Sequence, residues 1–107
     1  MNDPQVLEAG RVLAYKAMEG QISDAHKVIS FMFRAATSRV PDESDLIALV
    51  DYFDQEKARL VQDKEAVEGI LRQGEYPHPE RLDPVISAAY ALTANVILNL
   101  DEFVYKG

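Results

Sequence analysis

The chain has 107 residues, with 11 Lys plus Arg against 18 Asp plus Glu, 2 His, no Cys and no Trp. Without cysteine it holds no disulfide framework, thiolate zinc site, iron–sulfur cluster or c-type haem attachment. A formal charge of −7 argues against nucleic acid and anionic membranes as partners, because cationic attraction leads in both, and 48% apolar residues suit one folded domain rather than a disordered chain.

The predicted elements are helices. Asp3-Pro4 is a helix start, with Asp3 able to accept from first-turn amides and Pro4 placed where no N–H is needed. Val6, Ala9, Gly10, Leu13, Ala14 and Ala17 follow at helical spacing, and Gly20 is the expected end. The small residues of this set suit a close approach by another helix. No apolar h-region of a signal peptide is seen here, since Glu8, Arg11, Lys16 and Glu19 interrupt it.

Ser23 is the next cap candidate. Val28, Ile29, Met32, Phe33 and Ala36 form an apolar face that Phe31 and Ala35 widen. Val40-Pro41 is the expected stop, because a residue before proline is pushed out of the α region. Asp42 then caps a third helix with Leu46, Leu49, Val50, Phe53 and Leu60 inward. Asp63 caps a short fourth helix, or the third continues through it with a kink. Residues 73–79, with two prolines, form the one clear loop. Asp83-Pro84 starts a last helix to about Leu100, with Val85, Ala88, Ala89, Leu92, Val96, Ile97 and Leu100 inward. Its apolar run is shorter than the ~20 residues of a membrane span and contains Asn95 and Asn99, so it reads as a buried core helix. The expectation is an all-α, single-domain bundle of four or five helices, with sequential helices as antiparallel neighbours and the last the most buried.

Charge is uneven. Residues 1–41 carry net +1, residues 42–68 net −6 and the remainder net −2. A solvated helix face accounts for the acidic block, and a docking surface for a basic partner is the sharper alternative.

Catalytic patterns are thin. His26 and His78 sit in no metal-ligand spacing and read as surface residues. Carboxylates such as Asp51 and Asp54 lie on an outer face, without the enclosing pocket that separates the pKa values of an acid and a base. No serine lies in a Gly-rich elbow, and no phosphate-cradling loop exists. Arg34 and Arg39 flank an apolar stripe, where their stems would cover apolar surface and their heads would cap carbonyls. Asn95 and Asn99 lie one turn apart in the most apolar helix and, if buried, must be hydrogen-bonded. Asp101, Glu102 and Phe103 close that helix, and Phe103 and Tyr105 are expected to fold back as anchors. The candidate interface or polar-network residues are therefore Arg34, Arg39, Asn95, Asn99, Asp101, Glu102 and Phe103. No catalytic, cofactor-binding or metal residue is assigned.

Asn2-Asp3-Pro4, the Glu8-Ala9-x-Arg11-x-Leu13-Ala14 face, Phe33-Arg34 with Arg39-x-Pro41, and Leu98-Asn99-Leu100-Asp101-Glu102-Phe103 occur in a familiar order. With them, residues 2 to about 105 resemble the C-terminal domain of large planctomycete-type cytochrome c-containing proteins, planctomycete cytochrome-associated domain one. The resemblance implies an excised C-terminal module of an exported multidomain protein. Haem would belong to an upstream module, leaving no cofactor in this chain, and the upstream domains of the parent chain would be its partners. The parent would be extracytoplasmic, whereas a complete chain of this length would be cytoplasmic. The leading functional expectation is a non-catalytic structural or interaction module, linked to redox or polysaccharide processing. The alternatives are a contribution of polar residues to an enzyme site completed by upstream domains, and a self-associating helical adaptor. No nucleic acid binding and no membrane insertion are expected.

Overall fold

The computed structural model describes the backbone of residues 4–21 and 24–106, and side chains over 7–19 and 24–100. Five helices, α1 (Pro4–Gln21), α2 (Ala25–Thr37), α3 (Glu43–Val61), α4 (Lys64–Leu71) and α5 (Pro84–Lys106), make an all-α bundle. α5 is the axis, packing against each of the other four.

Capping chemistry sets the starts. The carboxylates of Asp24, Asp42, Asp63 and Asp83 each accept from a backbone N–H three residues on, those of Lys27, Asp45, Ala66 and Ile86. Asp42 also accepts from the Ser44 hydroxyl. These donors favour the charged carboxyl of Asp42 and hold its pKa below the ordinary carboxylate value. Asp24, rather than Ser23, therefore caps α2, and Ser23 lies outside the described residues, as does the Asp3 cap. Asp63 decides the open question at the fourth helix, because α4 is separate.

The ends differ more from expectation. α1 runs through Gly20 to Gln21, and α5 continues past Leu100 to Lys106, while the Phe103 and Tyr105 side chains lie outside the described residues. α2 stops at Thr37, three residues before Val40. Thr37 is buried, and its hydroxyl donates to the Phe33 carbonyl at 2.7 Å and accepts from the Arg39 N–H at 3.1 Å. Ser38 adopts a left-handed φ of 61°, and its N–H bonds the Arg34 carbonyl. A left-handed cap thus ends the helix before proline can.

The core is formed by Leu7, Ala14, Tyr15, Ala17 and Met18 from α1, Val28, Ile29, Met32 and Phe33 from α2, Leu49, Phe53 and Leu60 from α3, Val67 from α4, and Ala88, Ala89, Tyr90, Ala94 and Ile97 from α5. Each large apolar side chain so buried contributes roughly 1.5–3 kcal/mol. The α1 small-residue stripe does allow close approach. A Cβ on Gly10 would stand 3.1 Å from the Ala91 carbonyl oxygen. Three inward assignments fail: Phe31 is 47% exposed, Leu100 45%, and Ala35 is also exposed. On α5 the buried set instead includes Ser87, Tyr90, Ala91, Thr93 and Ala94. Its inner surface is wide because four helices surround it. Phe53 stacks on Tyr90 with ring centroids 4.0 Å apart. Among the described residues no helix is long and apolar enough to cross a membrane.

Candidate functional site

Two polar regions stand apart from the apolar core. The first is internal. Glu8, Arg11 and Tyr15 lie on one face of α1, at spacings of three and four residues, and all three turn to the loop between α4 and α5. The Glu8 carboxylate accepts from the backbone N–H groups of Glu75 and Tyr76, at 2.8 and 2.7 Å. Arg11 is fully buried. Its guanidinium donates to the carbonyls of Gln73 and Tyr76 and to the Tyr15 hydroxyl, the last at 3.0 Å. The Tyr15 hydroxyl in turn meets His78 Nδ1 at 3.1 Å, and His78 Nε2 meets the Leu82 carbonyl at 3.0 Å.

That order fixes the proton positions. A carbonyl only accepts, so His78 Nε2 carries a proton, and in the neutral imidazole Nδ1 then accepts from Tyr15. Donation runs in one direction, from Arg11 through Tyr15 and His78 to Leu82. The Tyr76 ring stacks on Tyr15 at 5.9 Å between centroids. Leu82, 2% exposed, closes the far end of the loop in the core. Gly74 has φ +81°, and Glu8 occupies the space a Cβ would need. Both the backbone angle and the packing call for glycine there. Arg11 and Glu8 hold the loop by its backbone, so they fix its path rather than read its side chains.

The second region is external. Phe31, Arg34, Ala35, Ser38, Arg39 and Val40 line an open groove of about 510 Å³ at the end of α2. No carboxylate lines it. Among the described residues neither Arg34 nor Arg39 forms a salt bridge, and the ion pairs there are Arg59–Glu56, Arg72–Glu68 and Arg81–Glu19. The Arg39 guanidinium lies over the Phe33 ring, 5.6 Å from its centroid. Carbonyl capping, the role expected of these two arginines, falls instead to the Ser38 N–H and the Thr37 hydroxyl.

The candidate residues thus divide. Arg34 and Arg39 come together. Asn95 is buried on α5 and Asn99 half-buried, and neither lines their groove. The side chains of Asp101, Glu102 and Phe103 lie outside the described residues. His26 is exposed as expected, whereas His78 is half-buried and hydrogen-bonded at both ring nitrogens. Sequence reasoning missed the Arg11 clamp. The available signal was an arginine set among Gly10, Ala14 and Ala17, a stripe that only makes sense as close-packed. Among the described residues no three His, Asp or Glu side chains converge as metal ligands.

A third surface is apolar. Leu60, Val61, Val67, Leu71, Pro84 and Val85, with the stems of Lys64 and Glu68, line a groove of about 460 Å³ between α3, α4 and the start of α5. Val61 is 66% exposed at its edge.

Compared with models of known protein families, with curated proteins and with solved structures, the chain matches none.

Proposed function

We propose that this chain is a non-catalytic structural or interaction module of a larger exported protein. The observation that carries the reading is the α3–α4–α5 groove. Six apolar side chains form an open concavity there, and Val61 stands exposed at its rim. An exposed apolar concavity rimmed by charged groups is the ordinary mark of a contact surface. The polar interior adds support, because Glu8, Arg11, Tyr15 and His78 are engaged in holding one loop and leave few groups for chemistry. The resemblance to the C-terminal domain of planctomycete-type cytochrome c-containing proteins suggests the rest of the parent chain as occupant, outside the cytoplasm, with redox or polysaccharide processing as the setting.

Hydrogen exchange tests this on the whole open reading frame that contains these residues. Amides of residues 60–71 should exchange at least about tenfold more slowly there than in the 107-residue chain. Equal exchange in the two would sink the proposal. A Val61→Asp substitution should lower the stability of the longer protein by about 1 kcal/mol and leave the 107-residue chain within about 0.5 kcal/mol.

A further inference from the structure

The end of α2 and the outer face of α3 are two surface features that the bundle itself does not use. The groove at the end of α2 offers two guanidinium groups without carboxylate partners, beside the exposed rings and methyls of Phe31 and Val40. Val40 is 75% exposed. The corner is rigid, since the left-handed Ser38 and the buried Thr37 hydroxyl fix the backbone between the arginines.

The α3 face is the complement. Glu43, Ile47 and Asp51 recur every fourth residue, and Asp54 follows one turn later on the same stripe. All four are exposed, and Ile47 is 59% exposed with acids on either side of it along the helix. None of the three acids forms a salt bridge with a described residue. An apolar knob between carboxylates matches an apolar hollow between arginines in both shape class and sign of charge.

We propose that the occupant of the α2 groove is a second copy of this chain, presenting the Glu43–Ile47–Asp51–Asp54 stripe. Ile47 of one copy packs on Phe31 and Val40 of the other, and the flanking carboxylates meet Arg34 and Arg39 there. Groove and stripe neighbour each other in the chain, on either side of residues 41 and 42. In the proposed arrangement a two-fold axis relates the copies, so that each gives a stripe and receives one. Two chains of charge −7 repel overall, so the association is weak and its specificity comes from the local pairing of charge.

Sedimentation equilibrium on the 107-residue chain, up to about 1 mM, tests it; an interaction of about −4 kcal/mol shows at that concentration. The average mass should rise towards that of a dimer. The double variant Arg34→Glu/Arg39→Glu should weaken association at least about tenfold, and so should Asp51→Arg/Asp54→Arg. Mixed in equal amounts, the two variants should associate again, because each reversed groove then meets a reversed stripe. All four positions are exposed, and helical circular dichroism with a cooperative thermal transition confirms that each variant folds. A monomer at every concentration overturns the proposal. So does association that ignores the charge reversals, or a mixture that stays monomeric.

Discussion

The loop clamp and the α2 groove use the same residue type for opposite ends. Arg11 has no accessible surface; its two terminal nitrogens donate to two carbonyls and a phenol, and its buried Nε–H meets no acceptor among the described residues. Arg34 and Arg39 are exposed, and neither pairs with a carboxylate among the described residues. Desolvating a guanidinium costs several kcal/mol, so a buried one needs most of its donors satisfied, as the terminal nitrogens of Arg11 are. An exposed one pays no such cost and stabilises little. Arg11 is thus a part of the fold, and Arg34 and Arg39 are parts of a surface.

Breaking the clamp is the strongest way to break this contrast. Arg11→Met keeps most of the side-chain volume and removes the donors. The carbonyls of Gln73 and Tyr76 then lose a charged donor inside the bundle, at about 1.5–3 kcal/mol each. A loss of about 3 kcal/mol is expected in urea unfolding, with a midpoint of thermal unfolding lower by at least about 12 °C. If Arg11→Met cost no more than Arg34→Met, the distinction between the two regions would be void.

The apolar core supplies the second test. Burial of Tyr90, with Asp24 and Asp54 as neighbouring negative charges, raises its phenol from the ordinary 10.0 to about 12. An unfolded chain would release that proton first. Between about pH 10 and about pH 12 the folded state therefore holds more protons, and stability falls as pH rises through this window. The loss attributable to Tyr90 is no more than about 2.7 kcal/mol. Following tyrosinate absorbance alongside unfolding should show it, and Tyr90→Phe should flatten the slope. An unchanged slope in Tyr90→Phe would rule out the assignment.

A finer test divides the clamp. Tyr15→Phe keeps the ring stacked on Tyr76 and deletes the hydroxyl that joins Arg11 to His78. Arg11 keeps both carbonyls, so the cost should be about 1 kcal/mol, well below that of Arg11→Met. Proton NMR should also show the His78 Nε2–H less protected from exchange. A cost equal to that of Arg11→Met would mean that the phenol, and not the carbonyl contacts, carries the clamp.

The parts of this architecture that rest on local chemistry could be read along the chain. Asp42 and Asp63 cap where their spacing to the following apolar residues places them, and the Pro77-x-Pro79 loop separates α4 from α5. Helix ends set by competing local bonds could not. Val40-Pro41 is a sound stop signal, yet Thr37 and Ser38 act first. Long-range polar pairing was the least visible. Arg11 and the loop are separated by more than 60 residues, and an arginine on an amphipathic helix ordinarily faces water. Only the fold shows that α1 has two inner faces, one towards α5 and one towards the loop. Arg34 and Arg39 are legible as residues flanking the apolar stripe of α2. Their grouping survives, but their expected capping role does not.

The smallest expected effect bears on those same arginines. Arg34→Ala removes an exposed side chain with no ion pair, so stability should stay within about 0.5 kcal/mol. Arg39→Ala also gives up the contact over the Phe33 ring, which at an exposed site is worth about 0.5–1 kcal/mol. The two values should therefore differ by no more than about 1.5 kcal/mol and add in the double variant only if the side chains do not share a partner. Measured in dilute solution, an additive and near-neutral pair places both groups on a free surface. A double variant that costs more than about 2 kcal/mol would show that the arginines hold the α2–α3 corner together, and the contrast with Arg11 would then be one of degree.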